Sequence, residues 1–355
     1  MINAIITEKF SKFYENLISL QRIRELKMAG QDTNRVAYLD ILRILATFGV
    51  IFIHITADGL CYPIMSYNWY VAIVGDSLVR WSVPIFVMIS GALFLNPEKT
   101  VLYKNILTKK VPRLLIAYIS WWIIYAAAIV AVWYFYKHQP FQTDWVIPHY
   151  HLWFLPMLMG VYLLIPVLRK IASNGKSLLY ALVIWALYLL ATFVFTDDIK
   201  QIFPLYVIHI LIGYSGYFLL GYYLSKTSFS RIQRVIVYIL GIVGIIITIT
   251  GFDELFLSYL SLHVAMMSAA LFVFVKENTK DIGPLCSCFI GYVRNDLFGI
   301  YLVHAMWLMV VNKDIFRDLC NHVISLPLIC IVVFTLSLFT TKILRRIPLV
   351  KRIVE

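Results

Sequence analysis

The sequence predicts an all-α, polytopic membrane protein with about ten transmembrane helices and both termini in the cytoplasm. Composition, the lengths of the apolar stretches and the placement of the cations predict it. The 355 residues are 61% hydrophobic and 14% charged, whereas an ordinary soluble domain is about 45–50% apolar and about 25% charged. A soluble chain of this composition could not clothe its surface in polar groups. Ten stretches reach the length of about 20 apolar residues that crosses a bilayer core. They lie near 38–59, 70–95, 111–136, 150–168, 178–196, 203–224, 232–251, 255–275, 289–311 and 323–344. With the N-terminus inside, 25 of the 31 Lys and Arg fall on the inner side. Only Lys137, Lys200, Lys313 and Arg317 fall outside, and Arg43 and Arg80 lie within spans. This is the positive-inside pattern for an even number of crossings. It assigns the net charge of +12 to a membrane surface and not to nucleic acid.

Residues 1–37 precede the first span. Ile2, Ile6, Phe10, Phe13, Leu17 and Leu20 recur at helical spacing between charged residues, which suits a cytoplasmic amphipathic segment lying on the inner leaflet; a partly ordered tail is the alternative. The segment is too long and too charged for a cleavable signal. Residues 38–344 form one membrane domain, and 345–355 a basic cytoplasmic tail.

Ionisable groups inside a span are costly, so each is a functional candidate. The first span carries Arg43 and His54, eleven residues apart. At about 100° per residue they share a face, some 16 Å apart along the axis, and Asp40, Thr47 and Asp58 fall near the same stripe. Such a seam must face protein or water. Arg43, near the inner end, could attract an anion or pair with Asp40. His54, near the outer end, is a general-base candidate. The structural alternative is a snorkelling Arg and a hydrogen-bonded His.

The second span holds Asp76 and Arg80 at i,i+4, then Trp81-Ser82-Val83-Pro84 and Ser90-Gly91. Arg80 is either half of a structural ion pair or a donor to an oxyanion. Lys109, Lys110 and Arg113 crowd the inner entry of the third span. They reflect orientation bias or form a phosphate-binding rim. The fourth span opens with Tyr150-His151-Leu152-Trp153-Phe154, where an interfacial aromatic belt competes with a role for His151. His209 and His263 fit packed polar contacts. In the ninth span Tyr301 and His304 share a face, and His304 either lines a cavity or is buried in packing.

Cys61 and Cys320 both fall outside and could pair in an oxidising compartment. Cys286 and Cys288 lack the further ligands of a zinc site, and no metal site is expected. The sequence holds no phosphate-binding glycine loop, no helical metal-binding histidine pair and no nucleophile elbow.

Four motifs occur in order: Arg43 to His54 as Arg-x10-His, Arg80-Trp81-Ser82-Val83-Pro84 through Ser90-Gly91, Tyr150-His151-Leu152-Trp153-Phe154, and Gly299-Ile300-Tyr301-Leu302-Val303-His304. Together with ten spans they resemble acyltransferase family 3, the bacterial membrane O-acyltransferases. Among its members the chain looks most like the short O-acetyltransferases of surface polysaccharide, those acting on enterobacterial common antigen included. The resemblance implies a multi-pass protein of the bacterial inner membrane that takes acetyl-CoA from the cytoplasm as donor. It also implies an acceptor hydroxyl on a surface glycan or lipid-linked saccharide at the outer face. By the same analogy His54 is catalytic, Arg43 is its partner, and Lys110 with Arg113 contacts CoA. Where many members have two arginines, this chain has Lys110 and Arg113.

The physical account runs parallel. Cations including Arg43, Lys109, Lys110 and Arg113 would hold the nucleotide inside. A pantetheine arm of roughly 15–20 Å matches the ~16 Å rise from Arg43 to His54. His54 would act as base or acyl relay, with Arg80, His304 and His151 as further catalytic candidates. The rival class is a proton-coupled transporter or flippase, although no repeated halves are visible. The acceptor, the acyl group and the oligomeric state, a homo-oligomer included, stay open.

Overall fold

Each of the ten apolar stretches carries helix, and every element among the described residues is helical. The structure, a computed structural model, describes residues 37–97, 103–194, 203–251, 254–279, 282–311, 313, 315–316 and 321–354. The expected amphipathic helix before residue 37, the cations there, Lys99, Lys200, Lys280, Arg317 and the Cys320 half of the suggested disulfide lie outside them.

In chain order the helices are α1 (Ala37–Ala57), α2 (Tyr67–Val79), α3 (Ser82–Phe94), α4 (Val111–Val130), α5 (Phe154–Leu163), α6 (Ile165–Ala172) and α7 (Gly175–Val194). There follow α8 (Phe203–Lys226), α9 (Arg231–Thr250), α10 (Leu262–Asn278), α11 (Pro284–Val293), α12 (Leu297–Val310), α13 (His322–Leu344) and the short α14 (Pro348–Lys351). Seven helical runs are long and apolar enough to cross a membrane, and α5–α6 adds an eighth crossing if the bent pair is one span.

Three stretches expected as single helices are broken, and each break has a local cause. α2 and α3 part at Arg80 and Trp81. Pro84, which has no N–H, cannot bond the Arg80 carbonyl. α5 and α6 meet at 58°, where Pro166 removes a ladder bond. The 289–311 stretch is divided between α11 and α12. At that break Asp296 is buried and receives hydrogen bonds from Lys342 (2.8 Å), in the last turn of α13, and Arg345 (2.5 Å), just past its end.

α1 runs through the body, with Leu42, Ile51 and Ile55 wholly buried. Phe48 stacks on Phe334 of α13 at 4.0 Å, and Gly49 faces Ser82 of α3. By contrast α4 and α9 expose most of their apolar length, as helices against lipid do.

A close backbone approach joins α3 to α8. A Cβ on Gly91 would lie 1.8 Å from the Phe218 carbonyl oxygen, and one on Gly221 would lie 2.0 Å from that of Met88. Small residues permit such contact where no hydrophobic force drives helices together. Gly221→Ala is therefore expected to cost about 1–3 kcal/mol by overpacking, read as a lowered thermal midpoint in detergent. Gly175→Ala, where a Cβ meets nothing within 4 Å, serves as the control.

Candidate active site

One end of α1 opens on a small cavity of about 20 Å³. Its wall is built by Val50, Ile53 and His54 of α1, Val83 and Phe86 of α3, His151, Trp153 and Phe154 around the start of α5, Tyr259 before α10, and Tyr301 of α12. Residues from five parts of the sequence thus converge on His54.

Around His54 stands a cluster of imidazoles. Its ring stacks on His304 with centroids 5.3 Å apart and on Tyr150 at 4.8 Å, edge to face. His304 in turn meets His151 at 5.1 Å. His304 Nδ1 lies 2.5 Å from the carbonyl oxygen of Tyr301. A carbonyl can only accept, so the neutral ring carries its proton on Nδ1 and presents the Nε2 lone pair. That Nε2 is buried without a hydrogen-bond partner, the kind of exception that collects at functional sites. His304 is thus equipped to accept a proton at Nε2. The Tyr301 hydroxyl donates to the His151 carbonyl at 2.5 Å and ties α12 to the start of α5.

The other sequence candidates fall in two groups. Arg80, at the α2–α3 break, is bonded through Nε to the buried Asp76, and Asp76 also accepts from Thr56 of α1 at 3.2 Å. The Arg80 guanidinium carbon lies 5.2 Å from the Tyr259 ring centroid. Arg80 and Lys313 are both near enough for their charges to act on His54, and Lys313 is itself paired with Asp58. Ion pair and approach to the site therefore coexist in Arg80.

Arg43 stands at the opposite end of α1, bonded to Asp40 at 2.5 Å. Lys109 and Lys110 lie in a π-helical turn, Ile106–Lys110, that leads into α4, and Arg113 sits over the Phe298 ring at 5.8 Å. None of these four lines the cavity. Arg43 and Arg113 nevertheless share the Tyr162 hydroxyl as an electrostatic neighbour, so a cationic cluster does form away from the histidines. His209 bonds Tyr188 (2.7 Å), and His263 contacts Ser261 (3.0 Å) and the Phe256 carbonyl (2.8 Å); both are packed polar contacts. Cys61 is exposed.

His149 and Tyr125 belong to the site and escaped the sequence reading. His149 Nδ1 is 2.9 Å from His151 Nδ1, and its ring stacks on Tyr125 at 4.5 Å. An alternating His-x-His at a span entry was the available signal. Burial pushes the His149 pKa down to about 4. A folded-state pKa below that of the unfolded chain means stability is retained above about pH 6.5 and lost as pH falls toward 4. His149→Gln is expected to flatten that part of a plot of thermal midpoint against pH.

The Tyr125 hydroxyl donates to the Leu302 carbonyl at 2.8 Å and accepts from the Met306 N–H at 3.1 Å. These groups are four residues apart and bond each other in an uninterrupted α-helix. A side chain from α4 thus bonds backbone groups on the turn of α12 that carries His304. Tyr125→Phe is expected to lower turnover about tenfold by displacing His304 from its geometry, with the thermal midpoint little changed.

An all-helical membrane body with a histidine-lined cavity at the end of one spanning helix defines a membrane-embedded catalyst more readily than a carrier. A family model described as an acyltransferase domain matches residues 36–342, most of the chain. The protein belongs to acyltransferase family 3 and is a multi-pass membrane acyltransferase. No curated protein and no solved structure shows significant similarity to it.

Proposed function

We propose that this acyltransferase transfers an acetyl group from acetyl-CoA, bound on the cytoplasmic side of the bacterial inner membrane, to a hydroxyl of a surface polysaccharide or lipid-linked sugar at the outer face. The observation that carries the reading is the layout of α1. Arg43 stands at one end within a cationic cluster and His54 at the other on the cavity wall, separated by a rise of about 16 Å. Charged nucleotide stays outside the hydrocarbon, and an extended thioester arm spans the distance.

In the direct route the acceptor hydroxyl gives its proton to His54 while its oxygen attacks the acetyl carbon. The C–O bond forms, the C–S bond breaks, and the departing thiolate takes the proton, leaving an ester and free CoA. Arg80 faces the developing oxyanion with the nitrogens not engaged by Asp76. His304 Nε2 supports the proton on the histidine side. In the relay route His54 itself carries the acetyl group between donor and acceptor.

The test uses sealed membrane vesicles that contain the protein and an endogenous glycan acceptor, with acetyl-labelled acetyl-CoA on the cytoplasmic face. Label entering the lipid-linked and polysaccharide fractions supports the reading. Label confined to CoA and free acetate in such vesicles overturns it.

A further inference from the structure

We propose that the C-terminal segment, residues 345–354, forms part of the donor site, with Lys351 and Arg352 joining Lys110 and Arg113 as contacts for the donor's phosphates. The inference rests on the donor reading above and extends it to a segment that lies beyond the matched family domain, which ends at residue 342.

The tail is built into the body. Beyond α13 the chain turns through α14 and folds back, and its last described residue, Val354, has 0% exposure. Trp121 of α4 donates its indole N–H to the Ile353 carbonyl at 3.0 Å. A Cβ on Gly299 of α12 would lie 3.1 Å from the Val354 carbonyl oxygen. Where the tail begins, Arg345 is clamped to the buried Asp296. Both ends of a ten-residue basic segment are therefore fixed to the body, the far end to α4, the helix that carries Arg113.

Arg113 and the tail both pack on the first turn of α12. Arg113 sits over Phe298, the residue before Gly299, and Gly299 meets Val354. Trp121, bonded to Ile353, stands two turns beyond Arg113 on the same helix. Lys351 and Arg352, next to these anchors, are exposed, whereas Ile353 and Val354 turn inward.

The charges argue the same way. Arg43 is neutralised by Asp40. Lys109, Lys110 and Arg113 then remain to meet three phosphate groups that carry roughly −1 to −2 each. Arg352, exposed on the tail, adds a further cation to these three. Arg in particular forks onto phosphate oxygens.

The experiment is donor kinetics on the full-length protein in vesicles. Lys351→Ala/Arg352→Ala is expected to raise the KM for acetyl-CoA about tenfold, to leave kcat unchanged and to weaken the salt dependence of KM. Arg352→Lys should restore most of the affinity. With 3′-dephospho-acetyl-CoA as donor, the gap between wild type and the double variant should narrow. If the double variant yields no folded protein, the single variants are compared by direct binding of labelled CoA. Wild-type activity with an unchanged KM in the variants overturns the tail's role, as does a loss confined to kcat. A wild type that transfers nothing from acetyl-CoA, yet acylates from another donor, overturns the donor reading instead.

Discussion

His54→Ala is expected to lower acyl transfer by about 10²–10⁴-fold, the range that a positioned acid–base group supplies, while the protein stays folded. The side chain stands on the wall of a cavity, and its partners His304 and Tyr150 make ring contacts, not ladder bonds. Its removal enlarges the cavity without severing a helix. Labelled-acetyl transfer in vesicles, read beside a thermal melt in detergent, separates the two effects. Activity surviving in His54→Ala would exclude both the base and the acyl-relay roles. His54→Gln, which keeps polarity but cannot shuttle a proton near neutral pH, should be equally inactive.

Asp76→Ala is expected to be the most damaging single change to the fold. Arg80 has a side-chain exposure of 12% and Asp76 of 0%, so removing the carboxylate strands a cation inside the protein. Breaking a buried pair in this way costs about 3–5 kcal/mol, a large share of the roughly 5–15 kcal/mol that holds a typical domain together. It also frees the Thr56 hydroxyl that links α1 to α2. Yield of folded protein and the thermal midpoint report the loss. Arg80→Lys keeps a cation beside Asp76 but gives up the planar fork. It should keep the fold and not the activity, since the shorter, point-like ammonium loses the rigid fork that reaches from Asp76 toward the developing oxyanion. Full activity in Arg80→Lys would remove the oxyanion role from Arg80.

Much of the architecture was legible because a bilayer imposes few solutions. Twenty apolar residues in a row can only be helix, and each of the ten stretches carries helix, although only seven runs, or eight with the bent α5–α6 pair, are long and apolar enough to cross. The breaks were less legible. Pro84 and Pro166 stood in the sequence, but a proline within a membrane helix kinks or passes according to what its neighbours supply. The division at Arg294 to Asp296 depends on Lys342 and Arg345, which are some 50 residues distant. For the site, the cost of burying charge singled out Arg43, His54 and Arg80, and the structure brings His54, His151 and Arg80 into one neighbourhood. Tyr125 was invisible. A tyrosine in the middle of an apolar span reads as packing, and only the fold shows its hydroxyl between Leu302 and Met306. His149 was passed over for His151, two residues later.

The glycine contacts between α3 and α8 bear on which acyl groups such a site would admit. α3 carries Val83 and Phe86 on the cavity wall. The same helix is pinned to α8 by carbonyls pressed against Gly91 and Gly221. A wall held backbone to backbone resists swelling, so under the proposed transfer it would serve as a fixed ruler that selects by exclusion, not by attraction. Chain-length preference would then be rewritten by shaving Val83 or Phe86 and left alone by changes that merely loosen the surrounding helices.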